Sequence, residues 1–134
     1  MSVSERNSKE EEEFKNKMQR LKLNDQKMTY LQLFGYQLGV QKMQALSDAL
    51  KVNQTLTHLE ISLNRIGDKV IEALSEALKV NQSITNLILS YNLIGANGIE
   101  ALNESLKENQ TITKLNLYEK LEWKKRECKL YLNL

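Results

Sequence analysis

Few residues in this chain could make or break a bond. The single histidine, His58, stands two positions from Glu60, an arrangement that could pair a base with a carboxylate. Zinc takes four nitrogen, sulfur or carboxylate ligands at close quarters. One histidine and the lone Cys128 do not assemble such a set, so no metal is expected. Cys128 also lacks a histidine placed to raise its nucleophilicity. Gly95-Ala96-Asn97-Gly98 does not run on to the Gly-Lys-Ser/Thr of a phosphate loop and reads as a turn into a helix. Lys124-Lys125-Arg126 beside Trp123 is a short basic cluster of the kind common on exposed helices, so nucleic acid is not expected as a partner. The expectation is a protein without catalytic residues or cofactor, hence not an enzyme.

Bulk properties narrow the class further. A length of 134 residues suits one domain, and 41% hydrophobic with 27% charged residues is ordinary for a globular chain. A formal net charge of +2 sets up no strong field toward polyanions or anionic membranes. No apolar run approaches the length of a membrane span. Met1 to Glu13 is polar, without the apolar core of a secretory leader, and one cysteine makes no internal disulfide. The expected location is the cytoplasm, with the nucleus as the alternative.

The positioning elements emerge from a repeat. Asn53-Gln54-Thr55-Leu56-Thr57-His58-Leu59 returns as Asn81-Gln82-Ser83-Ile84-Thr85-Asn86-Leu87 and as Asn109-Gln110-Thr111-Ile112-Thr113-Lys114-Leu115, a step of 28 residues each time. A fixed period of this size marks units that bury their apolar faces against their neighbours. Leu56, Leu59, Ile61, Asn64 and Ile66-Gly67 form one complete unit, and Ile84, Leu87, Leu89, Asn92 and Ile94-Gly95 a second. An earlier unit carries Met28, Leu31, Leu33 and Leu38-Gly39, with Tyr36 where asparagine is due; a later one starts at Ile112 and meets Lys120 at that position.

Each unit predicts a strand, a turn and a helix. Leu59 and Ile61 are two apart and share one strand face, while His58, Glu60 and Ser62 take the other. Asn64 and Asn92 are predicted to form a side-chain ladder that satisfies backbone amides of the turns. Asp68 stands where a helix N-cap is expected. Val70, Ala73, Leu74, Ala77 and Leu78 then recur at helical spacing, as do Ala45, Leu46, Ala49 and Leu50, and Ala101, Leu102 and Leu106. Ser8 with Glu11 predicts a capping box for an N-terminal helix whose Phe14, Met18 and Leu21 cover the first unit.

On these residues the chain resembles the ribonuclease-inhibitor type of leucine-rich repeat, found in NOD-like receptors and Ran GTPase-activating proteins. The resemblance implies an α/β fold: a short right-handed solenoid of strand–turn–helix units, with a parallel sheet on its concave face. The expected organisation is a capping helix in 1–24, repeats in 25–118 (25–52, 53–80, 81–108 and a partial 109–118), and a divergent basic segment in 119–134. The outward strand positions then define the expected partner-binding face: Tyr30, Gln32, Phe34, His58, Glu60, Ser62, Asn86, Ile88, Ser90, Lys114, Asn116 and Tyr118. Aromatic and aliphatic anchors on that face suit another protein as partner. The expected function is a non-enzymatic protein–protein interaction module. The alternatives are a regulator that activates a Ran-like GTPase, or a truncated fragment of a longer repeat protein.

Overall fold

A computed structural model describes residues 2–35, 38–62, 64–90 and 92–117. The expectations placed on Tyr36, Tyr118, Lys120 and the segment 119–134 lie outside the described residues. Helices and strands alternate as α1 (Val3–Lys22), β1 (Tyr30–Phe34), α2 (Val40–Val52), β2 (His58–Ser62), α3 (Asp68–Val80), β3 (Asn86–Ile88), α4 (Ala96–Glu108) and β4 (Lys114–Asn116). The strands form one parallel sheet in the order β1-β2-β3-β4. Tyr30 stands beside His58, His58 beside Asn86, and Asn86 beside Lys114, so equivalent positions of the sequence repeat become neighbours in the sheet. The result is a mixed α/β fold of the leucine-rich-repeat kind.

The pairing register follows from which strand residues can be buried. Leu31, Leu33, Leu59, Ile61, Leu87 and Leu115 point inward and are almost fully covered. A slip of one residue would turn all of them outward. Leu46, Leu50, Leu74, Leu78 and Leu102 close over them from the helices, and all five are completely buried. Burying one such side chain stabilises by about 1.5–3 kcal/mol, more than helix propensity spreads over a whole turn. Tertiary packing therefore decides where these helices form.

α1 buries Phe14, Met18 and Leu21. Its start differs from the expectation. Ser2, not Ser8, caps the helix: its hydroxyl accepts from the Glu5 amide at 3.1 Å, and the Glu5 carboxylate accepts from the Ser2 amide at 3.3 Å. Both serines precede a glutamate by three positions, and nothing apolar lies between Ser4 and Ser8 to mark the true end. Ser8 therefore lies inside the helix.

Asp68 is a second correction. Gly67 is the N-cap of α3, and the Asp68 carboxylate instead accepts from the Gly95 amide of the next unit at 2.7 Å. Here a side chain suited to capping its own helix ties two units together. Gly98 makes room for it: a Cβ there would stand 2.7 Å from Asp68 Oδ1.

The expected ladder of Asn64 and Asn92 is present. Asn64 Nδ2 donates to the Leu33 carbonyl at 2.6 Å and Asn92 Nδ2 to the Ile61 carbonyl at 2.7 Å, while Asn92 Oδ1 accepts from the Asn64 amide at 3.1 Å. A second ladder runs through the helix C-caps. Asn53, Asn81 and Asn109 donate to the carbonyls of Leu21, Leu50 and Leu78 at 2.9, 2.9 and 2.8 Å. Each also accepts from backbone amides two and three residues on. Carbonyls left open at one helix end are thereby satisfied by the following unit.

Candidate protein-binding face

Alternation along β1 leaves Tyr30, Gln32 and Phe34 exposed while Leu31 and Leu33 are buried. Tyr30 and Phe34 remain 50% and 44% exposed, so neither is used up in packing against α1. The register sets Gln32 directly beside Glu60, with Tyr30 and Phe34 one step to either side along the strand face. On the other flank of Glu60 lies Ile88, which is half-buried. Glu60 is thus the centre of a patch with aromatic and aliphatic walls.

Hydrogen bonds fix that centre. The Tyr30 hydroxyl donates to Glu60 Oε2 at 2.7 Å, and Gln32 Nε2 reaches the same oxygen at 3.3 Å. The bond to Glu60 holds the Tyr30 phenol above its usual range, with burial and the carboxylate charge adding to the effect. His58 packs obliquely on the Tyr30 ring at a centroid distance of 6.4 Å, and its Nδ1 meets Thr57 Oγ1 at 2.9 Å. Thr57 in turn donates to the Thr29 carbonyl at 3.0 Å. His58 and Glu60 each bond elsewhere and not to one another, so the pair is not arranged as a base with its orienting carboxylate.

Exposure differs among the remaining strand positions. His58, Lys114 and Asn116 are exposed, and Asn86 is half-buried. Two members are corrected: Ser62 and Ser90 are only 3% and 7% exposed. β3 ends at Ile88, so Ser90 already belongs to the turn, where its hydroxyl donates to Asn116 Oδ1 at 3.2 Å. Ser62 is the last residue of β2, and its hydroxyl has no hydrogen-bond partner among the described residues. Beyond the strand positions, Val40 and Leu93 are 52% and 63% exposed near the helix starts. Their positions in the unit gave no periodic signal that could have marked them.

Among the described residues, no group of three His, Cys, Asp or Glu side chains could hold a metal ion, and no helix is long and apolar enough to cross a membrane. What the face offers is shape, two half-exposed aromatic rings and one ordered carboxylate.

The family described as the TMOD/LMOD leucine-rich domain matches residues 10–125. Among solved structures, 36 chains match. One is leiomodin-1 actin-binding site 2: it is 23% identical with a TM-score of 0.70, covering 90% of this chain and 87% of that one. Another is a tropomodulin C-terminal domain from Caenorhabditis elegans, 10% identical with a TM-score of 0.60 over 90% of this chain and 91% of that one. At such identities these structures speak for the fold. No curated protein matches the chain.

Proposed function

The chain belongs to the TMOD/LMOD leucine-rich-domain family, and on that premise we propose that it binds actin through the outward face of its sheet. It is a non-enzymatic interaction domain. The observation that carries the choice of partner is the family match across residues 10–125, joined to a structural neighbour, leiomodin-1, whose matching region is named an actin-binding site. The observation that favours this face is the pair of half-exposed rings, Tyr30 and Phe34, on strand positions where a monomer gains nothing by leaving them uncovered.

In this reading the 28-residue units form a short right-handed solenoid of the ribonuclease-inhibitor type. Residues 1–24 serve as the cap, 25–118 as the repeats and 119–134 as a divergent basic end. The working location is the cytoplasm. The contact residues are Tyr30, Gln32, Phe34, His58, Glu60, Asn86, Ile88, Lys114 and Asn116, with Tyr118 as a further candidate.

The test is co-sedimentation with filamentous actin, paired with fluorescence titration of labelled monomeric actin. The chain should bind one of the two forms. The double variant Phe34→Asp, Ile88→Asp should lose binding roughly tenfold or more, because it places charge on the central apolar contacts. Binding to neither form would overturn actin as partner. Unchanged binding by a folded double variant would overturn the face.

A further inference from the structure

We infer that the sheet face is built to receive a basic side chain of the partner, arginine by preference, with Glu60 as its acceptor and the Tyr30 and Phe34 rings as its walls. The inference deepens the proposed function and rests on this face being the one that meets the partner.

Three observations converge. First, Glu60 is half-buried, yet among the described residues it meets no cation. The carboxylate keeps its charge without a counter-ion of its own, so a cation brought by a partner finds it available. Second, both of its hydrogen bonds fall on one oxygen, Oε2, from Tyr30 at 2.7 Å and Gln32 at 3.3 Å. The carboxylate is therefore oriented in advance while Oε1 stays open to an incoming donor, which lowers the ordering cost of binding. Third, Tyr30 and Phe34 sit on the adjoining strand on either side of Gln32, the residue paired with Glu60. Each ring is about half exposed, presenting a surface on which a guanidinium can lie.

Charge complementarity selects the occupant. Along the described outward positions the charged groups are Glu60 and, on β4, Lys114. The β1–β2 end of the face is thus acidic and aromatic together. An ammonium could satisfy the carboxylate, but a planar guanidinium can donate to Oε1 and stack on a ring at once. An acidic or purely aliphatic segment would leave the carboxylate unpaired.

The probe is a pentapeptide, Gly-Gly-Arg-Gly-Gly with blocked ends, titrated into isotope-labelled full-length chain and followed by NMR. Its citrulline counterpart has the same shape without the charge. The arginine peptide should shift the Gln32 side-chain amide and the Tyr30 and Phe34 ring signals, while the citrulline peptide should leave them in place. Glu60→Gln keeps an acceptor for Tyr30 and should abolish the arginine-specific shifts without altering the urea midpoint. With purified actin, the same variant should bind roughly five- to tenfold more weakly than the parent chain.

Equal shifts with both peptides, no shifts at these residues, or shifts unchanged in Glu60→Gln would each overturn the inference. The actin arm separates the two readings. Arginine-specific shifts with no actin binding would sink actin as partner and leave the basic-group site standing. Actin binding unaffected by Glu60→Gln, together with silent peptide titrations, would sink the site and leave the partner standing.

Discussion

Asn81→Ala should be among the most damaging single substitutions in the chain, although the residue is neither large nor apolar. Its side chain is 2% exposed. Its Nδ2 donates to the carbonyls of Leu50 at 2.9 Å and Asn53 at 3.3 Å, and its Oδ1 accepts from the amides of Ser83 at 3.0 Å and Ile84 at 2.9 Å. Truncation removes these four hydrogen bonds and a fifth, weaker one from the Ser83 hydroxyl at 3.4 Å, and leaves two amides and the Leu50 carbonyl without that partner. Each buried group left open costs about 1–3 kcal/mol. Allowing for some relaxation and the longer fourth bond, the expected loss is about 3–5 kcal/mol. That is a large share of a stability of roughly 5–15 kcal/mol. With a urea dependence of about 1–3 kcal/mol per molar, the midpoint followed by far-ultraviolet circular dichroism should fall by roughly 1–5 M. Asn109 makes the same set of bonds from a half-buried position, where water can replace part of what is lost. Asn109→Ala should therefore cost less, about 1–2 kcal/mol. Asn81→Asp keeps the acceptor but aims a carboxylate oxygen at the Leu50 carbonyl, so at neutral pH it should be no milder than alanine. A loss under about 1 kcal/mol for Asn81→Ala, or equal losses at the two positions, would refute the view that this ladder joins the units.

Other positions give sharper local tests. Gly98→Ala places a Cβ 2.7 Å from Asp68 Oδ1 and 2.9 Å from Ile94 Cγ2. It should destabilise by about 1–3 kcal/mol in a urea melt despite alanine's better helix propensity, and Asp68→Ala in the same chain should recover part of the loss. Arg65 and Asn24 share a left-handed φ of 52°, but glycine should act oppositely at the two. Arg65→Gly relieves backbone strain and should raise the melting temperature slightly, whereas Asn24→Gly forfeits the Asn24 Oδ1 acceptor of the Gln54 amide at 2.7 Å and should lower it. Hydrogen bonds from Lys42 and Arg20 are the leading cause of the lowered pKa values of Glu11 and Asp25, from ordinary values of 4.5 and 3.8. Depressed carboxylates stabilise above their unfolded pKa and lose that contribution as pH falls through the folded one. Relative to Lys42→Met, Arg20→Met, the parent chain should therefore hold a small advantage near neutrality that closes on acidification below about pH 4.5; an advantage unchanged at about pH 2 would refute the assignment.

How much of this was legible in the sequence depends on whether a residue acts inside its own unit or across to the next. The inward Leu59 and Ile61 could be read because a two-residue period has one structural meaning on a half-buried strand, and the sheet then follows from stacking one unit on another. Ser62 and Ser90 were misplaced by the same rule. It presumes that the strand continues, and β3 has already ended at Ile88. Ser90 instead sends its hydroxyl to Asn116 of the next unit, a contact that the period within its own unit does not foretell. Asp68 carries the same lesson in reverse. Its identity suits a cap, but the amide its carboxylate binds belongs to Gly95.

The candidate site divides along the same line. That Tyr30, Phe34 and Glu60 face outward follows from their own strands. That Tyr30 and Gln32 both reach one oxygen of Glu60 requires β1 and β2 to be in register, 28 positions apart in the chain. Glycine at position 98 was readable as a residue type but not as the gap that admits a carboxylate from another helix. Periodicity reports which residues are equivalent. What equivalent residues do for one another is decided in the step between units, and the ordered carboxylate at the centre of the face is a product of that step.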